Sequence, residues 1–329
     1  YHEYAHHLML HHMSTRYPAW YIEGFAEFLS TTEFKTNWAH IGLPAAHRAY
    51  QLVLESTTPI RTLLTASVGE VDSENRGNFY GRAWLLTHYL TFSTERKGQL
   101  GAYLKAVSAG TPLLEAAQTA FGDLDTLQRD MTRYQNARTL KYAVVPSSPP
   151  DYNAATVTQL DDAFGETIRE RVMLRRGTAD AEQEAIARSL ELVTTKYPSS
   201  ADLWTQLAEA KLDRDDHAGA IAAADRAIAI NPAAARALLW KGTAMVRHLA
   251  DKGSDDPAAW KEARSWLIRA NRADTEDPLT LYEYYRSFGA EGRDPTPAAI
   301  AGLQKASLMI PQASGYRVAY AFELIKAGN

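Results

Sequence analysis

Apolar and polar residues follow one another along most of this chain with the period of a helix rather than that of a strand. Trp204, Leu207 and Ala208, and then Ala220, Ala224 and Ala227, recur at intervals of three and four, which gathers side chains on one face of an α-helix. Amphipathic patterns of this kind precede Pro198, Pro232, Pro278 and Pro311, and a proline ends a helix because it lacks the N–H the next turn needs. The first 142 residues are more mixed. Aromatic-rich helical stretches, among them Ile22–Leu29 and Phe79–Leu86, are separated by a Pro/Thr loop at Ser56–Ile60 and a polar loop at Gly69–Asn78. The predicted fold class is mainly α.

Around Val144–Asp151 the composition shifts to Pro and Ser, which break both helices and central strands. This divides the chain into a domain at 1–142, a linker at 143–157 and a helical domain at 158–329. In the last of these, Pro198 and Pro232 stand 34 residues apart, the period of the tetratricopeptide repeat. Trp204, Leu207, Ala208, Ala220, Ala224, Ala227 and Pro232 fall on the fourth, seventh, eighth, twentieth, twenty-fourth, twenty-seventh and thirty-second places of that repeat. A second unit carries Leu238, Gly242, Ala263, Leu267 and Ala270 around an insertion at Asp251–Pro257, and a third ends at Ala299, Leu303, Ala306 and Pro311. A degenerate pair precedes Pro198, and one closing helix follows Gly315. The region resembles a tetratricopeptide array, which implies an α-solenoid whose concave side receives a protein or peptide partner.

With 329 residues, two domains are expected, and 46% hydrophobic with 22% charged residues lies in the ordinary globular range. A formal net charge of −4 gives no electrostatic footprint for nucleic acid. No apolar run approaches the roughly 20 residues that a membrane helix needs. The absence of cysteine removes disulfides and thiolate metal sites, so a metal would have to be held by His and carboxylate. The chain opens on Tyr1-His2-Glu3 without Met and is read as part of a longer precursor, so the missing leader says nothing about compartment.

That opening carries the chemistry. His2-Glu3-Tyr4-Ala5-His6 is an H-E-x-x-H motif, in which two imidazoles four residues apart reach one metal ion from one helix face while the glutamate addresses a water. A catalytic zinc takes a third protein ligand. His7, His11 and His12 follow too closely on the same helix and read as surface or packing residues. After the break at Tyr17-Pro18, a second helix offers Glu23 as third ligand. Gly24 is expected to let this helix press against the metal-bearing one, and Glu27, one turn on, could accept the outer N–H of a ligating His. Trp20, Tyr21, Phe25 and Phe28 are assigned to the core.

His2-Glu3-x-x-His6 followed by Trp20-Tyr21-Ile22-Glu23-Gly24-Phe25-Ala26-Glu27 resembles the gluzincin metallopeptidases, closest to the peptidase MA-like family of bacterial proteins and more distantly similar to the aminopeptidase N-like enzymes. The resemblance covers the first 30 or so positions well and Thr58–Tyr134 loosely. It implies zinc held by His2, His6 and Glu23, Glu3 as general base, Glu27 behind the ligands, and a peptide or protein substrate. It further implies an oxyanion-donating Tyr, for which Tyr80, 57 residues beyond Glu23 in Phe79-Tyr80-Gly81-Arg82, is the candidate, with Arg82 and His88 as weaker ones. Families of this kind are commonly exported. The alternative expectation is an inactive peptidase-like scaffold whose repeats mediate protein interaction.

Overall fold

The computed structural model describes residues 1–12, 17–54, 58–148, 156–177, 179–311 and 313–328. Among these the chain is mainly helical and divides into two compact units, Tyr1–Ala155 and Thr156–Asn329. No helix among the described residues is long and apolar enough to cross a membrane.

The first unit comprises α1 (His2–His12), α2 (Ala19–Ser30), β1 (Glu33–Phe34), β2 (Trp38–Ile41), α3 (Ala49–Leu54), α4 (Ile60–Thr65), α5 (Arg76–Phe92), α6 (Gln99–Ser108), α7 (Leu113–Phe121), α8 (Leu124–Gln135) and β3 (Ala143–Pro146). Its centre is α5. Every residue from Asn78 to Leu90 except Tyr80 is buried, so this helix is surrounded rather than laid on a surface. Around Phe79, Leu85 and Leu86 pack Trp20 from α2, Leu63 and Leu64 from α4, Tyr103 from α6, and Leu124, Leu127 and Met131 from α8. Pro18, held extended at φ −67° and ψ 150°, sets the start of α2 where the sequence predicts a break.

Gly24 corrects one expectation. A Cβ built on it would stand 2.4 Å from the Ala83 carbonyl oxygen and 2.4 Å from Thr87 Oγ1, so the atoms nearest the missing side chain belong to α5 rather than to α1, the helix that carries His2 and His6. The expected linker is also shortened. Residues 143–146 form β3 in an antiparallel sheet of order β1-β2-β3, with Ile41 opposite Ala143 and Trp38 opposite Pro146. Pro146 is tolerated because β3 is an edge strand and the proline is its last residue. Pro149, Pro150 and Asp151, and Ser56 of the predicted Pro/Thr loop, lie outside the described residues.

The second unit runs through α9 (Asp162–Glu166), α10 (Ile168–Arg176), α11 (Asp180–Lys196), α12 (Ala201–Leu212), α13 (His217–Ile230), α14 (Ala235–Asp251), α15 (Pro257–Ala273), α16 (Pro278–Ala290), α17 (Pro297–Met309) and α18 (Ser314–Lys326). The pairs α12/α13, α14/α15 and α16/α17 are stacked helical hairpins, with α18 packed on α17. Side-chain caps punctuate them: Asp216, Asp256, Asp277 and Thr296 accept from the backbone N–H groups of Gly219, Ala258, Leu279 and Ala299. Pro278, expected to end the preceding pattern, instead occupies the first turn of α16, where its missing N–H costs nothing. Small residues bring the hairpin partners close. Ala208, Ala220, Ala224 and Ala227 are fully buried, and a Cβ on Gly242 would meet Leu267 Cδ2 at 2.7 Å. Leu207 is buried in this core. Leu207→Ala should destabilise the second unit by about 2–5 kcal/mol through lost burial and a residual cavity, measurable by urea unfolding. A change under about 0.5 kcal/mol would show that the α12/α13 seam is not tightly packed.

Candidate metal centre

Ala5 and Met9 of α1 are buried, and His2 and His6, each three residues before one of them, lie beside them on the same side of the helix, which is turned towards α2. Both histidines and Glu23 are partly buried there. His2 Nε2 and His6 Nε2 are 3.0 Å apart, and Glu23 Oε2 lies 3.4 Å from the first and 3.3 Å from the second. Zinc bonds of about 2.0–2.2 Å at tetrahedral angles place ligand atoms roughly 3.3 Å from one another, so the three atoms already outline one face of such a site. Glu23 Oε2 is buried and has no hydrogen-bond partner. A buried carboxylate oxygen left without a donor is costly, and a cation among the three atoms would remove that cost. The donor set fits a zinc ion. Among the described residues no second group of three His or carboxylate side chains converges in this way.

The other sequence candidates divide into two groups. Glu3, Glu27 and Tyr80 line, with His2, Ser30, His47 and Arg48, an open pocket of about 390 Å³ beside the ligand atoms. Glu3 is exposed on α1. The Tyr80 ring stands 6.2 Å from that of His2, centroid to centroid. Burial, and then the nearby Glu23 carboxylate, push the Tyr80 phenol above its ordinary value, so it stays a neutral O–H donor. Arg82 and His88 do not line the pocket. Both are buried in the core of the unit: His88 Nδ1 lies 2.8 Å from the Tyr134 hydroxyl and Nε2 2.9 Å from the Gly42 carbonyl oxygen, while burial lowers the Arg82 guanidinium to about 10. Their positions correct the weaker oxyanion assignments. His7 is exposed and stacks on Tyr4, and the side chains of His11 and His12 lie outside those described.

Glu27 is nearly inaccessible, at 1% side-chain exposure, and three residues converge on it. Its Oε1 lies 3.4 Å from His2 Nδ1 and also takes a hydrogen bond from Arg48, while Oε2 lies 2.8 Å from His47 Nε2. Burial alone would raise its pKa. The hydrogen bonds from Arg48 and His47, with the charges of Arg48 and His2, outweigh burial and hold the carboxyl below the usual range. An ionised Glu27 beside His2 Nδ1 favours the tautomer with its proton on Nδ1, which leaves the Nε2 lone pair facing Glu23 and His6. His47 and Arg48 carried no sequence signal, since an adjacent His and Arg at a helix start ordinarily face solvent.

No model of a protein family matches the sequence, and no curated protein matches it. Among solved structures, the MamA RS-1 ArsTM double mutant is similar over 52% of this chain and 88% of its own, at 19% identity and a TM-score of 0.38. The resemblance to gluzincin metallopeptidases therefore rests on the two sequence motifs alone; in the structure His2, His6 and Glu23 converge, and His2, Glu3 and Tyr80 line one pocket.

Proposed function

We propose that the first unit is a zinc-dependent peptidase and that the repeat unit binds its substrate or a partner protein. The observation that carries the reading is the convergence of His2 Nε2, His6 Nε2 and the unpartnered Glu23 Oε2 within 3.0–3.4 Å of one another. Zinc bound there would supply Lewis acidity, making water more acidic and a peptide carbonyl more electrophilic. The Glu3 carboxylate takes a proton from the attacking water and returns it to the leaving amine as the C–N bond breaks. The Tyr80 hydroxyl donates to the carbonyl oxygen as negative charge develops on it. Metal analysis of the purified protein should give one zinc per chain in the wild type and none in Glu23→Ala, since two imidazoles alone hold the ion weakly. A wild-type protein without metal after zinc reconstitution would overturn the assignment.

The second reading is a peptidase-like scaffold without turnover, in which the repeat unit does the work. The stacked hairpins of α12–α17 favour it, because such arrays present extended binding surfaces independently of any active site. Stoichiometric zinc without cleavage of any member of a peptide library would select this reading.

A further inference from the structure

The short segment that follows the sheet places two side chains against the metal centre. Ala46–Arg48 forms a single 3₁₀ turn that runs into α3. Ala45 before it belongs to the core, and Leu52 after it packs on α5 at Gly81, where a Cβ would meet Leu52 Cγ at 3.0 Å. Anchored at both ends, the turn directs His47 and Arg48 at Glu27, some 20 residues earlier in the chain.

Resting on the zinc reading above, we infer that His47 and Arg48 are positioning residues that clamp the Glu27 carboxylate and thereby set the orientation of His2 and the affinity for the metal. Each oxygen of Glu27 is pinned separately: Oε2 by His47 Nε2 at 2.8 Å, Oε1 by the Arg48 guanidinium. The terminal torsion of a glutamate is soft, so a carboxylate held at one oxygen could still swing about the other. Held at both, its plane is fixed, and Oε1 stays 3.4 Å from His2 Nδ1. The Arg48 guanidinium also lies over the Tyr80 ring, 5.1 Å from its centroid, so one cation braces both the carboxylate behind the ligand and the hydroxyl donor across the pocket. Neither residue touches the three ligand atoms. Their effect passes through Glu27 to the imidazole, as outer partners of metal-bound histidines generally act.

The test measures the zinc dissociation constant by competition with a chromophoric chelator, for wild type, His47→Ala, Arg48→Met, Glu27→Gln, and each of the first two combined with Glu27→Gln. Each single variant should weaken zinc binding about 10–100-fold. In the Glu27→Gln background, His47→Ala and Arg48→Met should add nothing, because the group they act through is already lost. His47 is half-exposed, so His47→Ala keeps its fold even if Arg48→Met does not. Wild-type zinc affinity in His47→Ala overturns the clamp, as do losses that simply add to that of Glu27→Gln. In either case a wild type that binds zinc, and loses it in Glu23→Ala, leaves the metal site itself standing. A wild type that binds none removes the site and the clamp together.

Discussion

Glu3→Gln should abolish peptide hydrolysis and leave zinc in place. Glu3 lines the pocket with His2 and Tyr80 but is not among the converging ligand atoms, so the ion does not depend on its charge. Glutamine keeps the length and the hydrogen-bonding oxygen of glutamate and loses the capacity to accept a proton. A positioned base contributes about 10²–10⁴-fold to a rate, which is roughly 3–5 kcal/mol of transition-state stabilisation. Misfolding would not explain the loss, because Glu3 is exposed and surface substitutions ordinarily move stability by less than about 0.5 kcal/mol. The comparison is zinc content beside kcat/KM on a substrate found in a peptide library. Turnover preserved in a zinc-loaded Glu3→Gln protein would sink the role of Glu3 and move the base elsewhere in the pocket.

Gly24→Ala should be among the most damaging single substitutions in the first unit, although it adds one carbon. In a helix, alanine is intrinsically better than glycine by about 1 kcal/mol, so propensity alone predicts stabilisation. Packing opposes it. The new Cβ would lie 2.4 Å from a backbone oxygen of α5 and 2.4 Å from Thr87 Oγ1, with the Ala83 carbonyl carbon at 2.7 Å. Ala83 and Thr87 are themselves buried, so α5 cannot give way locally and α2 has to move outward. Overpacking of this kind costs about 1–3 kcal/mol or more, which outweighs the gain and is a large part of a domain's typical stability of about 5–15 kcal/mol. Glu23 adjoins the glycine, and Glu27 follows on the same helix, so the displacement also moves Glu23 away from His2 and His6, the other two residues of the proposed metal site. Urea unfolding and zinc titration of the variant should both show the loss. A raised midpoint with unchanged zinc affinity would mean that the α2–α5 contact is looser than its geometry indicates.

These substitutions also mark how far the sequence could be read. The helical fold was legible because its signal is local: intervals of three and four within each helix, a 34-residue recurrence between hairpins, and caps within two or three residues of the groups they satisfy. The candidate ligands His2 and His6 were legible for the same reason, since their four-residue spacing lies on one helix face, whereas Glu23 follows from the need for a third ligand and from the resemblance. What escaped depends on tertiary placement. A glycine inside a helix announces a close neighbour without saying which one, and Gly24 was assigned to α1 when it serves α5. His47 and Arg48 became part of the site only through a turn anchored on the core. The sheet was missed because its strands are two to four residues long, too short for alternation to emerge, and β3 lies in a stretch whose prolines argued against any strand.

That same sheet has a kinetic consequence. Ile41 and Ala143 are neighbours across the β2–β3 ladder, so the pairing encloses α3 to α8 in one loop of about a hundred residues. Closing a loop of that length costs entropy before any ladder bond returns it, whereas each hairpin of the second unit joins segments adjacent in the chain. On this ground the helices of the first unit are expected to gather before β3 pairs with β2, so that the strand fastens a core already formed. Among its described residues the second unit pairs elements that are close in the chain, so its hairpins can form one after another at the rate of local contacts.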